Sequence, residues 1–174
     1  MRCRDVARAF ALGVVSLIVL SCGEPSRPVA PDSDLLSSAF GPPTALLGLL
    51  QCTPLPAATA IQTIGPAGGV IHVGPHTLVI PAGALDVPVT ITAVAPSDTV
   101  NAVRFEPQGL VFDRPASLTM SYANCSAVDQ VFPRRIAYTT DDLQILNLLL
   151  SVNDFASKTV TAPLRHFSEY AIAW

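Results

Sequence analysis

From Ala60 to the end of the chain, apolar residues recur at every second position in short bursts, and this period decides the fold class. Val87, Val89, Ile91, Ala93 and Ala95 alternate with Thr90 and Thr92. Val103 and Phe105 alternate with Arg104 and Glu106, and Leu118, Met120 and Tyr122 alternate with Ser117, Thr119 and Ser121. An extended backbone turns successive side chains to opposite faces, so each burst reads as a strand with one apolar and one polar side. Turn-forming residues separate the bursts: Gly65-Pro66, Gly68-Gly69, Gly74-Pro75, Pro81-Ala82-Gly83, Pro96-Ser97-Asp98 and Asp113-Arg114-Pro115. Strand-length runs punctuated in this way predict an all-β sandwich or barrel. A span of about 115 residues is enough for a two-layer core. The dense leucine run from Leu143 to Leu150 fits a buried strand or a short helix equally well.

Ahead of this region lies a different kind of sequence. Arg2, Arg4 and Arg8 precede a twelve-residue apolar run from Ala9 to Leu20. That run falls short of the roughly 20 residues a spanning helix needs, and it has the length of a secretory signal core. It ends in Val19-Leu20-Ser21-Cys22-Gly23, which resembles the cleavage box of bacterial lipoproteins. The resemblance implies removal of residues 1–21, acylation of Cys22 and a lipid anchor in an extracytoplasmic bacterial envelope. Glycine after the cysteine points to the outer membrane if two membranes are present. The alternative is an ordinary cleaved signal. Residues 22–59 hold seven prolines, from Pro25 to Pro56, and read as a semi-extended tether, interrupted by the apolar patch Ala45 to Leu50, which fits a short helix packed on the domain. The expected organisation is therefore a signal over 1–21, a tether over 22–59 and a β domain over 60–174.

Charge narrows the range of functions. The chain of 174 residues has 13% charged residues and a formal net charge of −3. Three arginines against Asp5 give the signal +2, so the remainder carries −5. With Lys158 as its single lysine, this acidic body offers no phosphate-tracking surface, and nucleic acid is excluded as a partner. No phosphate-binding loop follows Gly65 to Gly69, no nucleophile elbow occurs, and no cofactor is expected.

Of four cysteines, Cys3 leaves with the signal and Cys22 would carry lipid. Cys52 and Cys125 remain, and an even pair outside the cytoplasm reads as a disulfide. Two free thiols or a metal site are the alternatives, and without a nearby histidine pair the two cysteines make a poor zinc site.

The stretch Ile64 to Ala93 resembles the opening of ZU-five domains, the β-sandwich of ankyrins, netrin receptors and tight-junction scaffolds. The matching residues are Gly68, Gly69, Val79, Ile80, Pro81, Gly83, Ala84 and Leu85. A second block, Val103 to Tyr122, is similar to the family's proline- and glycine-marked strand pair at Phe105, Pro107, Gly109, Phe112 and Pro115. A third, Ala162 to Trp174, is similar to the closing strand of bacterial members. The segment Leu143 to Asn153 departs from the animal members, so no animal partner surface carries over. The resemblance implies a ZU-five-like sandwich acting as a non-catalytic interaction module, its partner an unidentified envelope or extracellular protein.

His166-Phe167-Ser168 carries the one alternative chemistry. Some animal ZU-five domains cleave themselves before a serine in such a motif. If one strand holds all three, His166 and Ser168 share a face across Phe167. His166 would then take the Ser168 proton, the oxygen would attack the Phe167 carbonyl, and water would cleave the resulting ester. The competing reading makes His166 a hydrogen-bonded cap of the last strand. A purely structural envelope protein is the third possibility. Elsewhere, His72 and His76 flank a predicted hairpin and are expected as an exposed pair, with no metal. Asp141-Asp142 reads as a turn, and the glycosylation triplet at Asn124 is moot in a bacterial lipoprotein.

Overall fold

The computed structural model describes residues 48–125 and 132–174. The signal, Cys22 and most of the proline-rich stretch lie outside the described residues. Those described form eleven strands and no helix. They are β1 (Ala58–Ile64), β2 (Gly69–Val73), β3 (His76–Ile80), β4 (Val89–Ala95), β5 (Ala102–Glu106), β6 (Val111–Ser121), β7 (Arg135–Thr139), β8 (Ile145–Leu148), β9 (Val152–Asp154), β10 (Thr159–His166) and β11 (Glu169–Ala173). One sheet runs in the order β1-β4-β5-β11-β7-β8, the other β2-β3-β6-β10-β9. Every pairing is antiparallel. The expected all-β sandwich is what the chain forms.

Alternation explains the layering. Ile91, Phe105, Ile136 and Tyr170 from the first sheet and Ile71, Leu78, Leu118 and Met120 from the second are all buried in a single apolar cluster. Phe167 joins the layers, with its ring centroid 5.1 Å from Phe105 in a stacked pair and 4.9 Å from Phe112 edge-on. Each fully buried side chain of this size contributes roughly 2–3 kcal/mol by removal from water. Gly68 sits at φ +74°, where a Cβ would strike the Ile80 carbonyl oxygen. The turn between β1 and β2 therefore admits glycine alone at that position.

Two expectations are resolved here. The leucine-rich run is strand, not helix: β8 occupies Ile145–Leu148, and Leu143 turns the chain into it at φ 59°. The run is not buried throughout, for Leu146 and Leu150 stand in solvent. Part of the stretch read as tether also belongs to the folded unit. Leu49 bridges Ala173, Gln51 bridges Val100 and Cys52 bridges Cys125, while the Leu50 N–H donates to the Ile172 carbonyl at 2.8 Å. Pro54 and Pro56 follow a segment that is already docked.

Candidate functional site

The His166-Phe167-Ser168 motif occupies the corner where the chain leaves one sheet for the other. β10 ends at His166 in the second sheet and β11 begins at Glu169 in the first. The premise that His166 and Ser168 share a strand face is therefore corrected: Phe167 and Ser168 form the crossing. Phe167 is the pivot because its ring is drawn into the aromatic cluster and its backbone is pinned. Its N–H donates to the Leu110 carbonyl at 2.8 Å, and its carbonyl accepts from the Gly109 N–H at 3.0 Å. The Ser168 carbonyl accepts from the Phe105 N–H at 3.1 Å.

The His166 ring lies beside Tyr138 and Tyr170. Its Nδ1 lies 3.4 Å from the Phe167 carbonyl oxygen and 3.5 Å from Tyr170 Oη, and its ring meets Tyr138 edge-on with centroids 5.1 Å apart. The Tyr170 hydroxyl donates to the His166 carbonyl at 2.7 Å. Burial, and then the neighbouring Tyr138, push the Tyr170 phenol above its ordinary range, so it stays protonated and keeps that bond. Chemically, the corner places a backbone donor from Gly109 on the oxygen that would become negative during attack at Phe167. No hydrogen bond among the described residues joins His166 to Ser168. His166 and Tyr170 line a cavity of about 300 Å³ between β8 and β10, together with Asn147, Leu149, Leu150 and Arg165.

Next to the corner, Glu169 is buried and accepts from Arg104 Nε at 3.0 Å and Nη2 at 2.7 Å, with Asp141 3.5 Å from the same Nη2. The hydrogen bond to Glu169, more than any other contact, raises the Arg104 guanidinium pKa above its ordinary value. Period-two patterning missed this pair, because a charged residue at a strand start reads as solvent-facing and its partner is 65 positions away.

Cys52 and Cys125 form a disulfide. Around it the Thr53 N–H donates to the Asn124 carbonyl at 2.9 Å, and Asn124 Nδ2 donates to the Thr53 carbonyl at 2.7 Å. Asn101 Nδ2 donates to Asn124 Oδ1 at 2.8 Å and ties both to the loop before β5.

The histidines at the β2–β3 hairpin require a correction. Gly74 makes the turn at φ 54°, as expected. His72 is exposed and lies 3.0 Å from Thr77 Oγ1. His76 is instead buried at 2% exposure, with its Nδ1 accepting from the Ser121 N–H at 3.2 Å. The two rings take opposite faces of the hairpin, so they are not an exposed pair. Burial lowers the His76 pKa from 6.5 to about 4. Among the described residues, no three of His, Cys, Asp and Glu converge as metal ligands.

Set beside known proteins, the chain matches no protein-family profile, and no curated protein matches its sequence.

Proposed function

We propose that this chain is a lipid-anchored, extracytoplasmic interaction module: a ZU-five-like sandwich that binds a protein of the envelope or its surroundings without catalysing a reaction. The observation that carries the reading is the Cys52–Cys125 bond in a sandwich that follows a lipoprotein-like cleavage box. A structural disulfide belongs to an oxidising compartment, and a diacyl or triacyl cysteine holds a protein at a membrane where one chain does not. The ZU-five-like motif positions support the binding role by the work they do. Gly68 and Gly83 sit at positive φ in turns, and Phe105 and Phe112 pack the core, so they build a scaffold and leave its loops and edges for partners.

The test is metabolic labelling with a fatty-acid analogue in the native host, wild type against Cys22→Ala. The wild type takes up label and sediments with membranes. The variant loses the label and at least about nine-tenths of its membrane fraction, as expected when two or three acyl chains go. Unchanged sedimentation of the variant refutes the anchor.

A second reading has one observation in its favour, the Gly109 N–H on the Phe167 carbonyl. In it, Ser168 Oγ adds to the Phe167 carbonyl carbon, the Ser168 amine departs as the C–N bond breaks, and water hydrolyses the ester. Intact mass under denaturing conditions decides. Cleavage releases Ser168 to Trp174 as a fragment that Ser168→Ala abolishes, and a whole wild-type chain ends this reading.

A further inference from the structure

β1 is an edge strand with none of the devices that usually keep edges apart. It ends the six-stranded sheet, and nothing among the described residues pairs with its outer side. Its seven residues contain no charge, proline or glycine, and Ile61 is 68% exposed. Two of the other three edges are defended: β9 has three residues and carries Asp154, and β8 has four. A row of free backbone N–H and C=O groups with neutral side chains is a template for another strand.

The charge distribution says which strand. No Asp, Glu, Lys or Arg occurs between Asp34 and Asp86, a stretch that includes all of β1, β2 and β3. β1 and β2 are edge strands of the two sheets and pack against each other through Ile64 and Gly69. A partner selected by charge would find no hold on this flank. A second copy would meet no repulsion.

The side-chain pattern is also self-complementary. Antiparallel pairing of β1 with its own copy about Ile61 sets Thr59 opposite Thr63, Ala60 opposite Gln62 and Ala58 opposite Ile64. Even positions meet even and odd meet odd, so the core-facing row of one copy continues into the core-facing row of the other. On the outer face, threonine meets threonine and Ile61 meets Ile61, and both kinds of cross-strand pair are favourable. Thr63 already makes such a bond within the sheet, its hydroxyl 2.9 Å from that of Thr90.

We infer that two copies of this chain join through β1 into a two-fold symmetric dimer with a continuous twelve-stranded sheet, Ile61 lying on the symmetry axis. An isologous contact of this kind closes on itself and leaves β8 and β9, the edge strands at the far ends of the two sheets, free. It is independent of the anchor and of the binding role proposed above.

The test uses the purified full chain in mild detergent, with mass measured by light scattering over a range of concentrations. The wild type passes from monomer to dimer as concentration rises. Ile61→Lys and Ile61→Glu each raise the dissociation constant by about a hundredfold, because like charges meet on the axis. Mixed in equal amounts, the two variants recover a heterodimer, since this register alone places residue 61 opposite itself. Both are folded by circular dichroism, as substitutions at an exposed position should be. A wild type that is monomeric at every concentration overturns the inference. So does a dimer that tolerates Ile61→Lys, or a mixture of the variants that stays monomeric.

Discussion

Replacing Cys52 and Cys125 together by alanine will cost about 4 kcal/mol of folding stability, read as a loss of roughly 10–20 °C in the thermal midpoint. The bond spans 73 positions, and opening so long a loop restores most of the entropy that closure removed from the unfolded chain. Domains of this size are stable by only about 5–15 kcal/mol, so the double variant gives up a large part of the total. Both cysteines must change together, because a single substitution leaves a thiol that can pair elsewhere. The hydrogen bonds among Thr53, Asn101 and Asn124 set the alternative outcome. If the double variant unfolds within about 1 kcal/mol of the wild type, those bonds hold the first segment in place, and the sulfur link adds little.

Acid will weaken the fold as pH falls from 6.5 towards 4. His76 has a native pKa near 4 against 6.5 in the unfolded chain. Above pH 6.5 the ring is neutral in both states, and its contribution is fully present. As pH falls from 6.5 towards 4, the unfolded chain binds a proton that the buried ring refuses, and stability drops by about 1.4 kcal/mol per unit, about 3 kcal/mol in all. Below pH 4 both states are protonated, and the loss from this residue stops growing. Urea denaturation at a series of pH values measures the slope. His76→Asn keeps an acceptor for the Ser121 N–H and removes the titration, so it should flatten the curve between pH 6.5 and 4. Equal slopes in wild type and His76→Asn would assign the acid sensitivity to other groups.

The sequence made the layers legible and hid the crossings between them. Alternation at Ile91, Leu118 and Phe105 reports which face of a strand is buried, because burial and side-chain direction share the same period. It does not report where a strand changes sheets. From Leu164 to Trp174 the apolar rhythm runs on without a glycine or proline, and Phe167 is as buried at the crossing as Tyr170 is in the strand that follows. That rhythm predicts one continuous closing strand, and with it the pairing of His166 and Ser168. His76 is hidden for a related reason: being next to a turn suggests exposure, whereas its face is set by β6, 45 positions away at Ser121. The docked segment at Leu49–Cys52 pairs through single bridges rather than a ladder, too short to imprint a period. The disulfide was readable because cysteine arithmetic needs no geometry.

The same disulfide also decides how the domain would respond to tension. A pull on the chain that precedes Gly48 arrives at Cys52 and there crosses through sulfur to Cys125, immediately after β6. β1 through β6 lie inside the covalent loop and out of the load path. Stretched from its two ends, the unfolded protein would lengthen only through residues outside the loop. About 250 Å of contour would stay hidden until a reductant cut the bond. If the N-terminal segment holds the protein to a surface, as proposed, six of the eleven strands among the described residues are mechanically silent under shear.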